Sequence, residues 1–176
     1  MSKIKKNVLA AMLLAVFIVF NRFVSIKTEI LIISFTFIPM MMSAIWLGPV
    51  YSTIVALLGD LIGAILFPFG PYFPGFTVSN ALSGLIYGLF LYNKGNEMSS
   101  KKLVIMLIIS SVLQLIVVNI FITSLWIHML YGKAYLAIMT GRTITQLVMI
   151  PIHVISIYML EKFSRPYMKK YLYEEK

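Results

Sequence analysis

The chain has 176 residues, 60% of them hydrophobic and 12% charged, with a formal net charge of +9 and a mean hydropathy of +0.94. A soluble domain carries about 45–50% apolar and roughly 25% charged residues, so no soluble fold has enough interior to hide this much apolar surface. An integral membrane protein follows, and at about 20 residues per spanning helix there is room for at most about six or seven spans and none for a soluble domain.

Segment one, Val8–Phe20, follows Lys3, Lys5 and Lys6 and imitates a signal peptide. Asn21-Arg22 stands where a small-x-small cleavage site would be, so an uncleaved first span is expected. Ala11 and Ala15 place two small residues one turn apart, a spacing that lets helix backbones approach closely in lipid. Either ordinary bundle packing or a docking surface for another protein accounts for the pair, and Val8, Met12, Phe17 and Val19 would extend such a surface. Arg22 closes the segment as a second anion site or an interface anchor, with Lys27 and Glu29 beyond it.

Segment two, Ile30–Leu47, is ended by Gly48-Pro49. Segment three, Val50–Phe67, carries Asp60 near its middle, between Gly59 and Gly63, and is ended by Pro68 and Gly70-Pro71. A bare carboxylate at that depth costs about 2.5–3.5 kcal/mol on insertion scales. It must be paired, protonated or bound to a ligand; a structural reading bonds it across helices to Asn80 or Gln114. Segment four, Phe73–Tyr92, opens with Pro74-Gly75, which aims free N–H groups and a positive dipole end outward. Asn80, Ser83, Gly84 and Tyr87 share one of its faces at spacings of three and four, and Gly84 and Gly88 repeat the small-residue spacing.

The polar break Asn93-Lys94-Gly95-Asn96 precedes segment five, Leu103–Ile127. Segment six, Ala137–Phe163, places Arg142 and Gln146 one turn apart near its start and His153 deeper on roughly the same face. Arginine is the natural planar clamp for a carboxylate; snorkelling to headgroups is the plain alternative. For His153 a satisfied histidine inside the bundle is the plainer reading.

Six spans put both termini on one side, which then holds eleven of the 15 Lys and Arg residues: Lys3, Lys5, Lys6, Lys94, Lys101, Lys102, Lys162, Arg165, Lys169, Lys170 and Lys176. Only Arg22, Lys27, Lys133 and Arg142 fall on the other. Positive charge favours the cytoplasm, so both termini are expected inside, and the charge serves orientation, not nucleic acid. The outer end collects Tyr72, Phe73, Trp126, His128, Tyr131 and Tyr135, as an interfacial belt or as stacking surfaces. With Arg22, Asn80, Arg142 and Gln146 they describe an outward pocket with cationic, amide and aromatic groups.

Several chemistries lack support. There is no cysteine, so disulfides and thiolate chemistry are excluded. The two histidines lack HExxH spacing, so no metal is expected, and no cofactor or nucleophile–base pair can be argued. No GxxxxGK[ST] loop exists; around Gly132-Lys133, Ile127 and Ala134 break the pattern. Uphill transport by ATP would therefore need a partner to hydrolyse it.

Arg22, Phe37-Ile-Pro39, Gly48-Pro49, Asp60-Leu-Ile-Gly63, Tyr72-Phe-Pro-Gly75 and Leu82-Ser-Gly-Leu-Ile-Tyr-Gly88 together resemble the folate-specific S-components (FolT type) of energy-coupling-factor (ECF) vitamin transporters. The resemblance spans nearly the whole chain, and Ala11 and Ala15 match the alanine motif of the wider family. It implies an all-α, six-helix substrate-binding domain over residues 1–176 in a bacterial cell membrane, and no enzyme. It implies tight binding of a vitamin from outside, docking on a membrane coupling subunit through the alanine motif, and release inside when two ATPases drive the bundle to topple. Folate would set its carboxylates on Arg22 and Arg142. Asp60, Asn80 or Gln146 would read the pterin edge, and Tyr72, Phe73, Phe76 or Trp126 would stack on it. Other readings are an S-component for riboflavin, thiamine or pantothenate, a small intramembrane enzyme, and an autonomous carrier using Asp60 as a proton or cation site.

Overall fold

The computed structural model describes residues 3–27, 32–68, 72–93, 98–132 and 134–173. Glu29, Gly70-Pro71, Lys94-Gly95-Asn96, Lys133 and Lys176 lie outside them. Among the described residues there are six helical rods: α1 (Lys3–Arg22), α2 (Phe37–Leu47), α3 (Pro49–Leu66), α4 (Pro74–Leu91), α5 (Ser100–Tyr131) and α6 (Tyr135–Tyr173). α1, α3, α5 and the Tyr135–Met168 part of α6 are long and apolar enough to cross a bilayer, which makes the chain a multi-pass membrane protein. α4 has 18 residues, diluted by Gly, Ser, Thr and Asn.

Three boundaries depart from the sequence reading. Segment two was expected from Ile30, but α2 has 11 residues and begins at Phe37. Ahead of it, Ile32–Ile33 pairs antiparallel with Ile26–Lys27, opposing Ile26 to Ile33 and Lys27 to Ile32. Isoleucine-rich stretches suit a pleated ribbon as well as an apolar helix, and the all-α expectation had no place for this short one. α6 outruns Phe163 and reaches 39 residues. An i,i+4 pair supports its extension: Arg165 Nε donates to Glu161 Oε1 at 2.7 Å and Nη2 to Oε2 at 2.9 Å. At 1.5 Å per residue α6 is about 58 Å long, so its end projects beyond a core of about 30 Å. α5 contains a nine-residue π-helical stretch, Leu115–Thr123, which α-helical periodicity does not announce.

Local chemistry sets the turns. Gly48 alone separates α2 from α3, with φ 89° and ψ −176°, a conformation open essentially to glycine. Its N–H donates to Ser43 O and Ala44 O, both at 3.2 Å, closing α2. Pro49 then opens α3 and Pro74 opens α4, where the missing N–H costs nothing.

α3 and α4 are antiparallel and in close contact. A Cβ on Gly88 would collide with Pro49 Cα, and one on Gly84 would sit 2.5 Å from Ser52 O. Ser52 Oγ donates to Gly84 O at 2.7 Å. Gly59 and Gly63 face α1 instead, against the Phe17 ring and the Arg22 guanidinium. The glycine pairs are thus packing devices within the bundle. The core beside them holds Phe17, Met41, Val55, Tyr87, Leu103, Leu107 and Ile157. Outside, large apolar side chains are exposed, among them Ile65, Ile144, Val148 and Ile155. Ser43, Ser52, Asp60, Ser79 and Ser83 are buried. Apolar outside and polar within is the arrangement lipid requires.

Replacing Gly88 with Leu is expected to overpack the α3–α4 contact and destabilise the protein by about 1–3 kcal/mol. Thermal unfolding of the detergent-solubilised protein checks this, with lipid-facing Leu89→Ala as the control that leaves the midpoint nearly unchanged.

Candidate functional site

A cavity of about 600 Å³ opens among the helices, within the range that takes a drug-sized ligand. α1 contributes Asn21 and Arg22, and α3 contributes Asp60. Tyr72 and Phe73 enter just ahead of α4, which adds Phe76, Asn80, Ser83 and Tyr87. α5 supplies Gln114 and Asn119; α6 supplies Arg142, Gln146 and His153. Eight of the nine ligand candidates read from the sequence therefore line one space. Trp126 does not: its ring packs behind Phe73, centroids 5.6 Å apart.

Asp60 ties three helices together. Its Oδ2 accepts from Thr77 Oγ1 at 2.7 Å, and Oδ1 accepts from Asn21 Nδ2 at 3.4 Å. Arg22 Nη2 lies 3.9 Å from Oδ1 and donates to the Asp60 carbonyl at 3.3 Å. The Tyr72 hydroxyl meets Thr77 Oγ1 at 3.1 Å, joining the segment before α4 to the same knot. Asn80 and Gln114, the partners expected from sequence, are not the ones found. The α3–α4 register sets Thr77 opposite Asp60, and Asn80 falls one turn further in, facing the cavity. Asn80 makes no side-chain hydrogen bond among the described residues.

A second polar group crosses from α6 to α4 through α5. Arg142 Nη2 donates to Asn119 Oδ1 at 2.8 Å, and Asn119 Nδ2 donates to Gln114 Oε1 at 3.1 Å. Gln146 Nε2 reaches the same Gln114 oxygen at 3.4 Å, and Gln114 Nε2 donates to Ser83 Oγ at 3.4 Å. Gln114 and Asn119 are five residues apart. On an α-helix they would diverge by well over a quarter turn; in the π stretch residues five apart are hydrogen-bonding neighbours. That winding aims both amides into the cavity. Asn119, and the pairing of Asp60 with Asn21 and Thr77, are absent from the sequence reading. The available signal was a pair of amides in an otherwise apolar span.

The cavity floor is aromatic and soft. Phe37, Met40, Tyr87 and Met149 line it, and the His153 ring lies on Phe37 with centroids 4.0 Å apart. Toward the other end, Phe73 and Phe76 meet edge-on at 5.6 Å. On this geometry the site offers two guanidiniums, several amides and flat apolar walls. It suits an elongated molecule with an anionic end and a heteroaromatic end. On the outside of α1, Ala11 and Ala15 are exposed with Ile4, Val8, Met12 and Val19, opposite buried Leu9 and Phe17.

Thr77→Val leaves Asp60 with one donor fewer and is expected to lower stability by about 1–3 kcal/mol. Thermal unfolding of the ligand-free protein reads that loss.

Comparisons with known proteins follow the same outline. A family model described as "ECF-type riboflavin transporter, S component" matches residues 1–164. The folate transporter FolT of Clostridium novyi (strain NT) is 39% identical over 90% of this chain and 88% of its own length. FolT of Leuconostoc mesenteroides is 37% identical, over 89% of this chain and 84% of its own. Among solved structures, a crystal structure of FolT bound with folic acid superposes with a TM-score of 0.78, at 37% identity over 89% of this chain and 92% of that one. A structure of the S component of a bacterial ECF transporter, 23% identical, shares the fold with a TM-score of 0.74 over 96% of this chain and 99% of that one. By its sequence and by the bundle that carries its cavity, the chain belongs to the S components of ECF-type transporters.

Proposed function

We propose that this protein is the substrate-binding membrane subunit of an ECF vitamin transporter and that its ligand is folate. The observation that carries the reading is the pairing of two cavity-lining arginines with flat aromatic and amide surfaces in one space. Riboflavin, the substrate in the matching family model's description, has no carboxylate to employ Arg22 and Arg142. The relatives at 39% and 37% identity are folate transporters. Arg142, oriented by its bond to Asn119, and Arg22, beside Asp60, are the two carboxylate clamps. Asn80 and Gln146 read the pterin edge, Tyr72, Phe73 and Phe76 flank the ligand, and Trp126 supports Phe73 from behind.

The six-helix bundle is embedded in the membrane with both termini in the cytoplasm. The segregation of positive charge supports this orientation, and it turns Arg22, Tyr72 and the cavity mouth outward. The exposed face around Ala11 and Ala15 is then available to a membrane coupling subunit carrying two ATPases, whose work topples the bundle and releases folate inside.

Isothermal calorimetry on the purified protein with folate, pteroic acid and riboflavin tests the ligand. Folate is expected to bind and riboflavin not; absence of folate binding sinks the assignment. Arg142→Ala is expected to weaken folate by about tenfold to a hundredfold, the loss of a charge-assisted bond. It should leave pteroic acid, which lacks the glutamate, nearly unaffected. For coupling, Ala11→Trp together with Ala15→Trp is expected to spare folate binding and abolish uptake into cells. Uptake at the unmodified rate would rule out docking through this face.

A further inference from the structure

His153 shares with Asn80 the lack of a side-chain hydrogen bond in the cavity, and it is the more deeply buried of the two. It is 5% exposed, yet it makes no hydrogen bond with a described residue, and its Nδ1 is enclosed without a partner. Asp60, Gln114, Asn119, Arg142 and Gln146 all have bundle partners. A buried imidazole left unsatisfied is costly. Its ring is held in place: Phe37 lies against it at 4.0 Å with an interplanar angle of 35°. Met149, one turn before it on α6, lines the cavity beside it.

The position matters as much as the missing partner. His153 is eleven residues beyond Arg142 on α6, about 16 Å further along the helix axis. A ligand whose carboxylates are drawn to the arginines therefore presents its opposite end to His153. Neutral imidazole offers one donor and one acceptor, which matches the alternating ring nitrogens and exocyclic groups of a pteridine edge. A site that hydrogen-bonds such an edge rejects an analogue lacking it far more strongly than an apolar pocket does.

We propose that His153 is a specificity-determining residue at the floor of the cavity, hydrogen-bonding the ligand's heterocycle while Phe37 fixes its ring. The proposal rests on the folate reading above. It assigns this end of the ligand to a residue whose plainer role in a bundle is packing.

Calorimetry on the purified full chain tests it with folate and with folate analogues in which single pteridine nitrogens are replaced by carbon. His153→Phe keeps the stacking area and removes the hydrogen bond, so folate is expected to bind about tenfold more weakly. His153→Gln should restore most of that loss. One carbon-replaced analogue is expected to bind the wild type and His153→Phe alike, because the atom that His153 contacts is already gone. Equal folate affinity in wild type and His153→Phe overturns the proposal. So does an equal loss from His153→Phe across every analogue. A wild type that fails to bind folate overturns the folate reading instead and takes this proposal with it. A folding-independent measurement is the imidazole nitrogen signal of wild-type protein labelled with ¹⁵N-histidine, assigned with His128→Asn. Folate is expected to shift the His153 signal, and an unmoved signal also overturns the proposal.

Discussion

The antiparallel contact between α3 and α4 is the constraint on which the rest depends. Pro49 faces Gly88, Ser52 faces Gly84 and Asp60 faces Thr77, so one register holds along both helices. In hydrocarbon there is no hydrophobic drive between helices, and close van der Waals approach with a few internal hydrogen bonds has to replace it. The two glycines bring the backbones together, and the Ser52 hydroxyl ties them. That fixed wall decides which side chains of α4 turn to α3 and which turn to the cavity. Gly84 goes to the wall; Asn80, Ser83 and Tyr87 go to the space beside it.

Polar groups in such a bundle either satisfy one another or wait for a ligand. Asp60 belongs largely to the first kind. Two side-chain donors, a nearby guanidinium and a tyrosine hydroxyl behind Thr77 hold it, and together they join α1, α3 and the entry to α4. Such partners are how a carboxylate persists at membrane depth, and Asp60 also lines the cavity. Asn80 and His153 line the cavity without side-chain hydrogen bonds among the described residues. Between them the π-helical stretch of α5 is a local rewinding that turns Gln114 and Asn119 onto the same space. Such departures from α geometry cluster at functional sites.

The same chain presents opposite surfaces to its two environments. The lipid side is apolar and exposed, and the cavity holds the amides and guanidiniums. α1 shows both behaviours on one helix: Leu9 and Phe17 pack inward, Ala11 and Ala15 lie on the outer face, and Arg22 ends at the cavity. A small bundle with an internal cavity and an apolar outer α1 face around Ala11 and Ala15 is in keeping with the S components to which the chain belongs.

What the sequence determined by itself was the class of solvent, the breaks and the chemistry of the site. Composition alone demands lipid, and the Gly48-Pro49 and Phe73-Pro74 junctions mark real helix starts. The polar residues were few enough in an apolar chain to be noticed one by one, so eight of the nine candidate residues line the cavity. What only the tertiary structure decided was pairing. The partner of Asp60 depends on how α3 is registered against α4, a relation between segments that no single-helix periodicity contains. The orientation of Asn119 depends on a π winding whose residues are all ordinary in an α-helix. The seven-residue retreat of α2 from Ile30 to Phe37 reflects isoleucines that serve a ribbon or a helix equally well, until neighbouring backbone supplies the hydrogen bonds.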